Sequence, residues 1–175
     1  MKLRTIFLLS PLFMPMLVLA QYKPVEQASA LTFNIKNLGF NVSGSFKGFE
    51  GSINFDQQNL PASNFDVSIN AATVNTENNL RDGHLRDEFF EVKSYPRIRL
   101  VSTKLGGKNG NYVFTGLLTI KSTTKPVSFP FTASLLNDAY VFKGGFKINR
   151  KDFGVGGTST VSDELEVNLN VTAKK

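Results

Sequence analysis

The sequence predicts an all-β fold: an eight-stranded antiparallel up-and-down barrel with one short helix between strands three and four. Three observations carry this. Apolar and polar residues alternate with period two in segment after segment, the main signal of a half-buried strand. Phe (16) and Gly (14) are both frequent in a chain of 175 residues, as strands that pack rings and turn sharply require. The stretch RDGHLRDEFFEVKSYP, Arg81 to Pro96, breaks the rhythm with helical spacing and holds the single histidine.

The first twenty residues stand apart. Lys2 and Arg4 give a positive start, and Ile6 to Leu19 is apolar apart from Ser10, Pro11 and Pro15. Val18-Leu19-Ala20 ends on a small residue before polar Gln21. Residues 1–20 therefore read as a secretory signal peptide cleaved after Ala20. The run is short for a membrane span and its prolines oppose a permanent helix; an uncleaved anchor is the alternative. No cysteine follows Ala20, which excludes a lipid-anchored lipoprotein. Residues 21–175 are expected to form one domain, large enough to bury a core. That segment carries eighteen Lys and Arg against fourteen Asp and Glu, a net charge of +4. Apart from Arg97/Arg99 and Lys174-Lys175 the basic residues are scattered, whereas nucleic-acid binding needs a stripe of them. An exported chain with no cysteine must hold its fold by core packing, without disulfides.

The strands follow in order. Leu31, Phe33 and Ile35 share a face opposite Thr32, Asn34 and Lys36. The run Phe40–Phe55 changes parity: Phe40, Val42 and Phe46 are even, Phe49, Ile53 and Phe55 odd. Gly44, Gly48 and Gly51 sit at or beside the switch, which predicts a bulge or sharp bend in a curving strand. Phe65, Val67, Ile69 and Ala71 alternate next. After the helical stretch come Ile98–Leu105, Tyr112–Ile120, then Val127, Phe129, Phe131, Ala133 and Leu135. Tyr140, Phe142, Phe146 and Ile148 make the seventh strand. Val161, Leu165, Val167, Leu169 and Val171 make the eighth. Turn signals lie at Gln57–Pro61, Gly106–Gly110 and Asn137-Asp138. Strands of about ten residues span roughly 30 Å, which favours a deep barrel over the shorter strands of a sandwich.

The interruption reads as a lid. Thr76 is the expected N-cap, with Glu77 in the first turn. Leu80 and His84, then Arg81, Leu85 and Phe89, fall at helical spacing, and Gly83 limits the helix to two turns. Tyr95-Pro96 ends it. Two readings compete for Arg81, Asp82, His84, Arg86, Asp87 and Glu88: a catalytic or metal site, or an ion-pair and capping network pinning the helix to the barrel rim. One His and no Cys do not make a typical transition-metal site without well-placed carboxylates, and no nucleophile elbow is present. The structural reading is preferred; no catalytic residue, metal or cofactor is assigned.

Four segments in order resemble the YceI-like family: LTFNIKNLGFNVSGSFKGFEGSINFD, NTENNLRDGHLRDEFFEVKSYPRIRLVS, FTGLLTIKSTTKPVSFPF, and FKINRKDFGV with its closing strand DELEVNLNVTAKK. The resemblance covers essentially all of residues 21–175. It implies an exported bacterial protein, periplasmic or secreted. Its fold would be a lipocalin-like eight-stranded barrel holding a polyisoprenoid or other long amphiphile, with roles in transport, storage or envelope stress. Arg81, Asp82, His84, Leu85, Phe89 and Phe90 match the family's helix motif, Pro96 the start of the next strand, and Arg150, Asp152, Phe153 and Gly154 its late motif. Ser122 stands where the family often has Gly, and Leu100 where Phe is usual; one concerns a turn, the other a pocket wall.

Such a ligand needs a dry apolar tunnel more than placed catalytic groups. Each CH₂ removed from water contributes about 0.8 kcal/mol. The expected lining is Phe33, Ile35, Phe65, Val67, Ile69, Phe129, Phe131, Phe142, Phe146, Val167 and Leu169, with Leu85, Phe89 and Phe90 at the lid. Arg81, Asp82, His84, Arg150 and Asp152 are rim candidates for a ligand headgroup. Periodicity does not separate a lined interior from a packed one, nor an inward apolar face from an outward one. The alternatives are therefore a barrel without a ligand, an eight-stranded outer-membrane barrel, and a small hydrolase or isomerase using His84. Sparse aromatic girdles, the charged helix and a non-aromatic C-terminus count against membrane insertion. Oligomeric state stays open, a homodimer included.

Overall fold

The computed structural model describes residues 21–175; the leader expected over residues 1–20 lies outside the described residues. Nine strands form one antiparallel sheet that closes on itself. They are β1 (Gln21–Pro24), β2 (Ala30–Asn37), β3 (Phe40–Asn54), β4 (Asn64–Asn75), β5 (Arg97–Lys108), β6 (Asn111–Ile120), β7 (Thr123–Leu136), β8 (Ala139–Asn149) and β9 (Val161–Lys174). Each strand from β2 onward pairs with its successor, and β2 pairs with β9, so eight positions make a closed ring.

The ninth strand adds no ninth position. β1 pairs with the far ends of β3 (Tyr22 opposite Ile53) and β9 (Pro24 opposite Ala173). β2 fills the same gap further along, with Phe33 opposite Gly44 and Val167. A 3-10 turn at Glu26–Ala28 separates them. Its carboxylate accepts N–H bonds from Gly48 (3.1 Å) and Phe49 (2.8 Å), two donors that the strand irregularity there leaves off the ladder.

That irregularity is the parity change. The β3–β4 register shifts between Ser45 and Lys47 and again between Lys47 and Glu50. Before it Phe46 faces inward; after it Ile53 and Phe55 do. Gly51 (φ +119°) allows the bend: a Cβ there would lie 2.1 Å from the Asp66 carbonyl oxygen.

The direction of the apolar face is now fixed. Phe33, Phe65, Ile69, Phe114, Phe129, Phe131, Phe142 and Val167 are buried, while Thr32, Asn34, Ser128, Ser134 and Lys143 of the alternate face are exposed. An outer-membrane barrel has the reverse arrangement, an apolar band facing lipid around a polar interior. Among the described residues, no helix is long and apolar enough to cross a membrane.

Between β4 and β5 lies the short helix α1 (Asn79–His84), continued by one π-helical turn, Leu85–Phe89. Its N-cap is Asn78, not Thr76: the Asn78 side chain accepts the Arg81 N–H at 3.0 Å. Thr76 is buried and turned to another task. Its N–H and hydroxyl donate to the Asp82 carboxylate at 2.9 and 2.5 Å.

Candidate functional site

The interior is divided along its length. At the end that holds the β5–β6 and β7–β8 turns, aromatic rings fill the barrel. Phe55 is the hub, with edge contacts to Tyr112, Tyr140 and Phe142 at centroid distances of 5.2, 5.2 and 5.3 Å and to Phe65 at 5.9 Å. Tyr22 closes on Tyr140 at 5.1 Å. Edge-to-face geometry sets the positive ring edges against negative faces, so this end is a solid plug. Burial pushes the Tyr140 hydroxyl above its ordinary pKa, helped by nearby Tyr22, Tyr112 and Asp56.

Above the plug the side chains stop meeting. There the barrel encloses a cavity of about 540 Å³, within the range of roughly 300–1,000 Å³ typical of small-molecule sites. Its floor is Phe65, Phe131 and Phe142, with Phe114, Phe129 and Phe146 stacked along one wall at 4.9 and 4.5 Å. The opposite wall carries Phe33, Ile35, Val67, Ile69, Val167 and Leu169. Leu85, Phe89 and Phe90 cover it from the lid. All fourteen expected lining positions thus border one cavity.

The lid is held at two points. Phe90 meets Phe46 edge-on at 5.5 Å within a cluster of Phe33, Ile69 and Val74. Phe89 joins Leu118, Ile120, Phe153 and Val155 and lies against Gly156 (φ +76°), where a Cβ would sit 2.3 Å from its ring. Lys121 adds a polar tie to Glu91 and to the Gly154 carbonyl. Ser122, the family departure at a turn, follows Lys121 between β6 and β7, and Leu100 borders the cavity wall.

The five rim candidates have different fates. Arg81 borders the cavity, with Nε and Nη2 donating to the Thr76 hydroxyl and carbonyl at 2.7 and 2.8 Å. His84 also reaches it, and its Nδ1 lies 3.1 Å from Glu88 on the exposed helix surface. Arg150 is buried and borders the cavity, but its guanidinium is fully occupied. It donates to the carbonyls of Val155, Gly157, Val161 and Ser162 and to Asp163, pinning the β8–β9 loop. Asp82 is buried beneath α1, facing Thr76. Asp152 is exposed and lies in a surface depression away from the cavity. Among the described residues, no group of three or more His, Asp or Glu is placed to hold a metal.

Phe55, Tyr112 and Tyr140, which pack the plug beneath the cavity floor, were not among the expected site residues. They share the inward parity of Ile53, Phe114 and Phe142, so the signal existed. What separates plug from wall is ring-to-ring distance across the barrel, which one strand does not encode. Val155 and Leu80 border the cavity from a loop and a helix face, where period two gives no guidance. On the outer surface Arg99 chelates Asp66, with Nε 2.8 Å from Oδ1; that hydrogen bond chiefly holds the carboxyl below its usual pKa.

A closed antiparallel barrel with an apolar cavity between an aromatic plug and a helical lid defines a class of binding barrel. Residues 22–173 match the YceI-like domain, and the chain belongs to that family. A UPF0312 protein of Pectobacterium carotovorum is 39% identical over 165 residues, 87% of this chain and 85% of that protein. BcnA of Burkholderia cenocepacia superposes with a TM-score of 0.80 at 25% identity, covering 86% of this chain and 99% of that one. A polyisoprenoid binding domain from Saccharophagus degradans, implicated in plant cell wall breakdown, has the same fold. Its TM-score is 0.73 at 15% identity, over 87% of this chain and 97% of that one.

Proposed function

We propose that this protein is an exported carrier that holds one long-chain amphiphile, a polyisoprenoid or a similar lipid, inside the barrel. Residues 1–20 direct export and are removed after Ala20, leaving a periplasmic or secreted protein that stores or transports its ligand or protects the envelope under stress. The observation that carries this reading is the cavity of about 540 Å³ walled by apolar side chains. A folding chain with no use for the space would close it, because voids forfeit contact energy. The name of the Saccharophagus domain supports the same ligand class.

The fourteen lining residues supply burial. Arg81 and His84, at the lid, offer donors to a polar headgroup, while Arg150 positions the loop beside them. No catalytic step is assigned: His84 pairs with Glu88 on the exposed helix surface.

The test is a fluorescence titration of residues 21–175 with a labelled geranylgeraniol, competed by unlabelled prenyl alcohols and fatty amides. Saturable binding of one probe per chain is expected. Ile35→Trp, which projects an indole into the cavity, abolishes it; Val167→Phe weakens it and guards against misfolding of the first variant. Circular dichroism confirms that both fold. Absence of saturable binding by the native sequence removes the proposal.

A further inference from the structure

We propose that the cavity mouth is a bilayer-docking surface, at which Leu38, Phe40 and Leu80 insert into the lipid interface so that ligand passes between membrane and barrel without crossing water. Its purpose rests on the lipid-carrier reading; the docking itself is read independently.

The mouth has a definite place. On the β6–β8 side the lid is packed against Leu118, Ile120, Phe153 and Val155. On the other side the cavity is bordered by Val161 at the start of β9, Asn37 and Val42 of the β2–β3 hairpin, and Leu80 and Arg81 of α1. The largest exposures among apolar side chains occur here: Phe40 at 77%, Leu80 at 76% and Leu38 at 71%. Leu80 is thus both mostly exposed and part of the cavity wall. The hairpin tip is fixed beside the β8–β9 loop by the Leu38 N–H bond to the Thr160 carbonyl (3.4 Å).

Folding does not account for Leu38. The tip is a two-residue turn with positive φ at both positions, Leu38 (+51°) and Gly39 (+85°). Such turns favour Asn or Asp first, because a left-handed backbone crowds a larger side chain. The two far-end hairpins follow that rule, turning on Asn109-Gly110 and Asn137-Asp138. Only the hairpin at the mouth places an apolar side chain there, and it points into solvent.

The occupant is a bilayer rather than a second copy of the chain. A stable dimer buries roughly 800 Å² per partner with matched shape, which three side chains, two on one hairpin tip and one on α1, do not supply. A lipid interface needs no matched shape and accepts single rings and aliphatic chains. The charges nearby are mixed, Lys36, Arg81 and Arg86 against Glu77, Asp87 and Glu88, so docking depends on apolar insertion and not on anionic lipid.

The test is flotation of residues 21–175 with vesicles of phosphatidylcholine, alone or mixed with phosphatidylglycerol. This segment contains the whole closed barrel, and it lacks the apolar leader that would bind vesicles by itself. The native sequence is expected to float with both vesicle types. Leu38→Asn, Phe40→Ser and Leu80→Gln each lower the bound fraction about tenfold, and Leu38→Asn does so without loss of stability. The far-end pair Leu135→Ser and Leu136→Ser, also apolar and more than half exposed, leaves it unchanged. Probe binding in solution stays intact in Leu38→Asn, Phe40→Ser and the far-end pair, while transfer of the probe from vesicles slows in Leu38→Asn and Phe40→Ser; Leu80→Gln, which alters the cavity wall, is read by flotation alone. The proposal is overturned by native protein that does not float, by binding only to anionic vesicles, by mouth variants that float normally, or by mouth variants that split a dimer instead. Failure of the carrier reading looks different: no probe binds in solution, whatever the vesicles do.

Discussion

Phe55 carries more of the closed end than any other single side chain. It meets the rings of Phe65, Tyr112, Phe131, Tyr140 and Phe142, and truncating it leaves a hole that rigid strands do not close. Phe55→Ala is expected to cost about 3–5 kcal/mol, measured as a lower urea midpoint with an unchanged slope. Tyr140 gives the plug a pH dependence. Its native pKa is raised, chiefly by burial, so the native state holds the hydroxyl proton more tightly than the unfolded chain does. That stability is fully present below the ordinary tyrosine pKa of about 10 and is lost as pH climbs through the higher native value. Tyr140→Phe should therefore flatten the fall in stability above about pH 10, read from urea midpoints across that range. The inward parity of Phe55 and Tyr140 is legible in the sequence. Their meeting across the barrel is not, because β3 and β8 are brought together only by closure.

The lid is the element on which access depends, and its two ends were unequally legible. Helical spacing from Leu80 to Phe89 marked its existence, its short length and its apolar face. The cap was misplaced by two residues: Thr76 has the right chemistry, but burial and the Asp82 carboxylate claim it, so Asn78 starts the helix. The second anchor left no local signal, since Phe89 meets a glycine more than sixty residues later in the chain. Gly156→Ala tests that anchor. The left-handed backbone and the Phe89 ring both exclude a methyl group, so a loss of more than about 1 kcal/mol is expected. Amide exchange should quicken in residues 85–92 ahead of the strands. In β3 the reverse holds: the parity change and its glycines announced the bulge, because register errors there would turn every later side chain to the wrong face.

At the scale of the whole molecule, the eight barrel positions, their closure and a lid over one end were available from alternation and family resemblance, whereas the short ninth strand, Gln21–Pro24, was not. Nor was the division of the interior. The same Phe, Val and Ile residues form a solid plug at one end and an open cavity at the other, and period two describes both. The difference lies in which rings meet across the barrel, as Phe55 meets Tyr112, Tyr140 and Phe142, a property of the assembled barrel. The central claim is that the open part holds a lipid. It is tested most directly by native mass spectrometry of residues 21–175 purified without detergent, with organic extraction of the same sample. A discrete added mass that extracts as a long-chain amphiphile, and disappears in Ile35→Trp, is the predicted result. A bare protein mass that stays bare after incubation with polyprenols and fatty amides would contradict it.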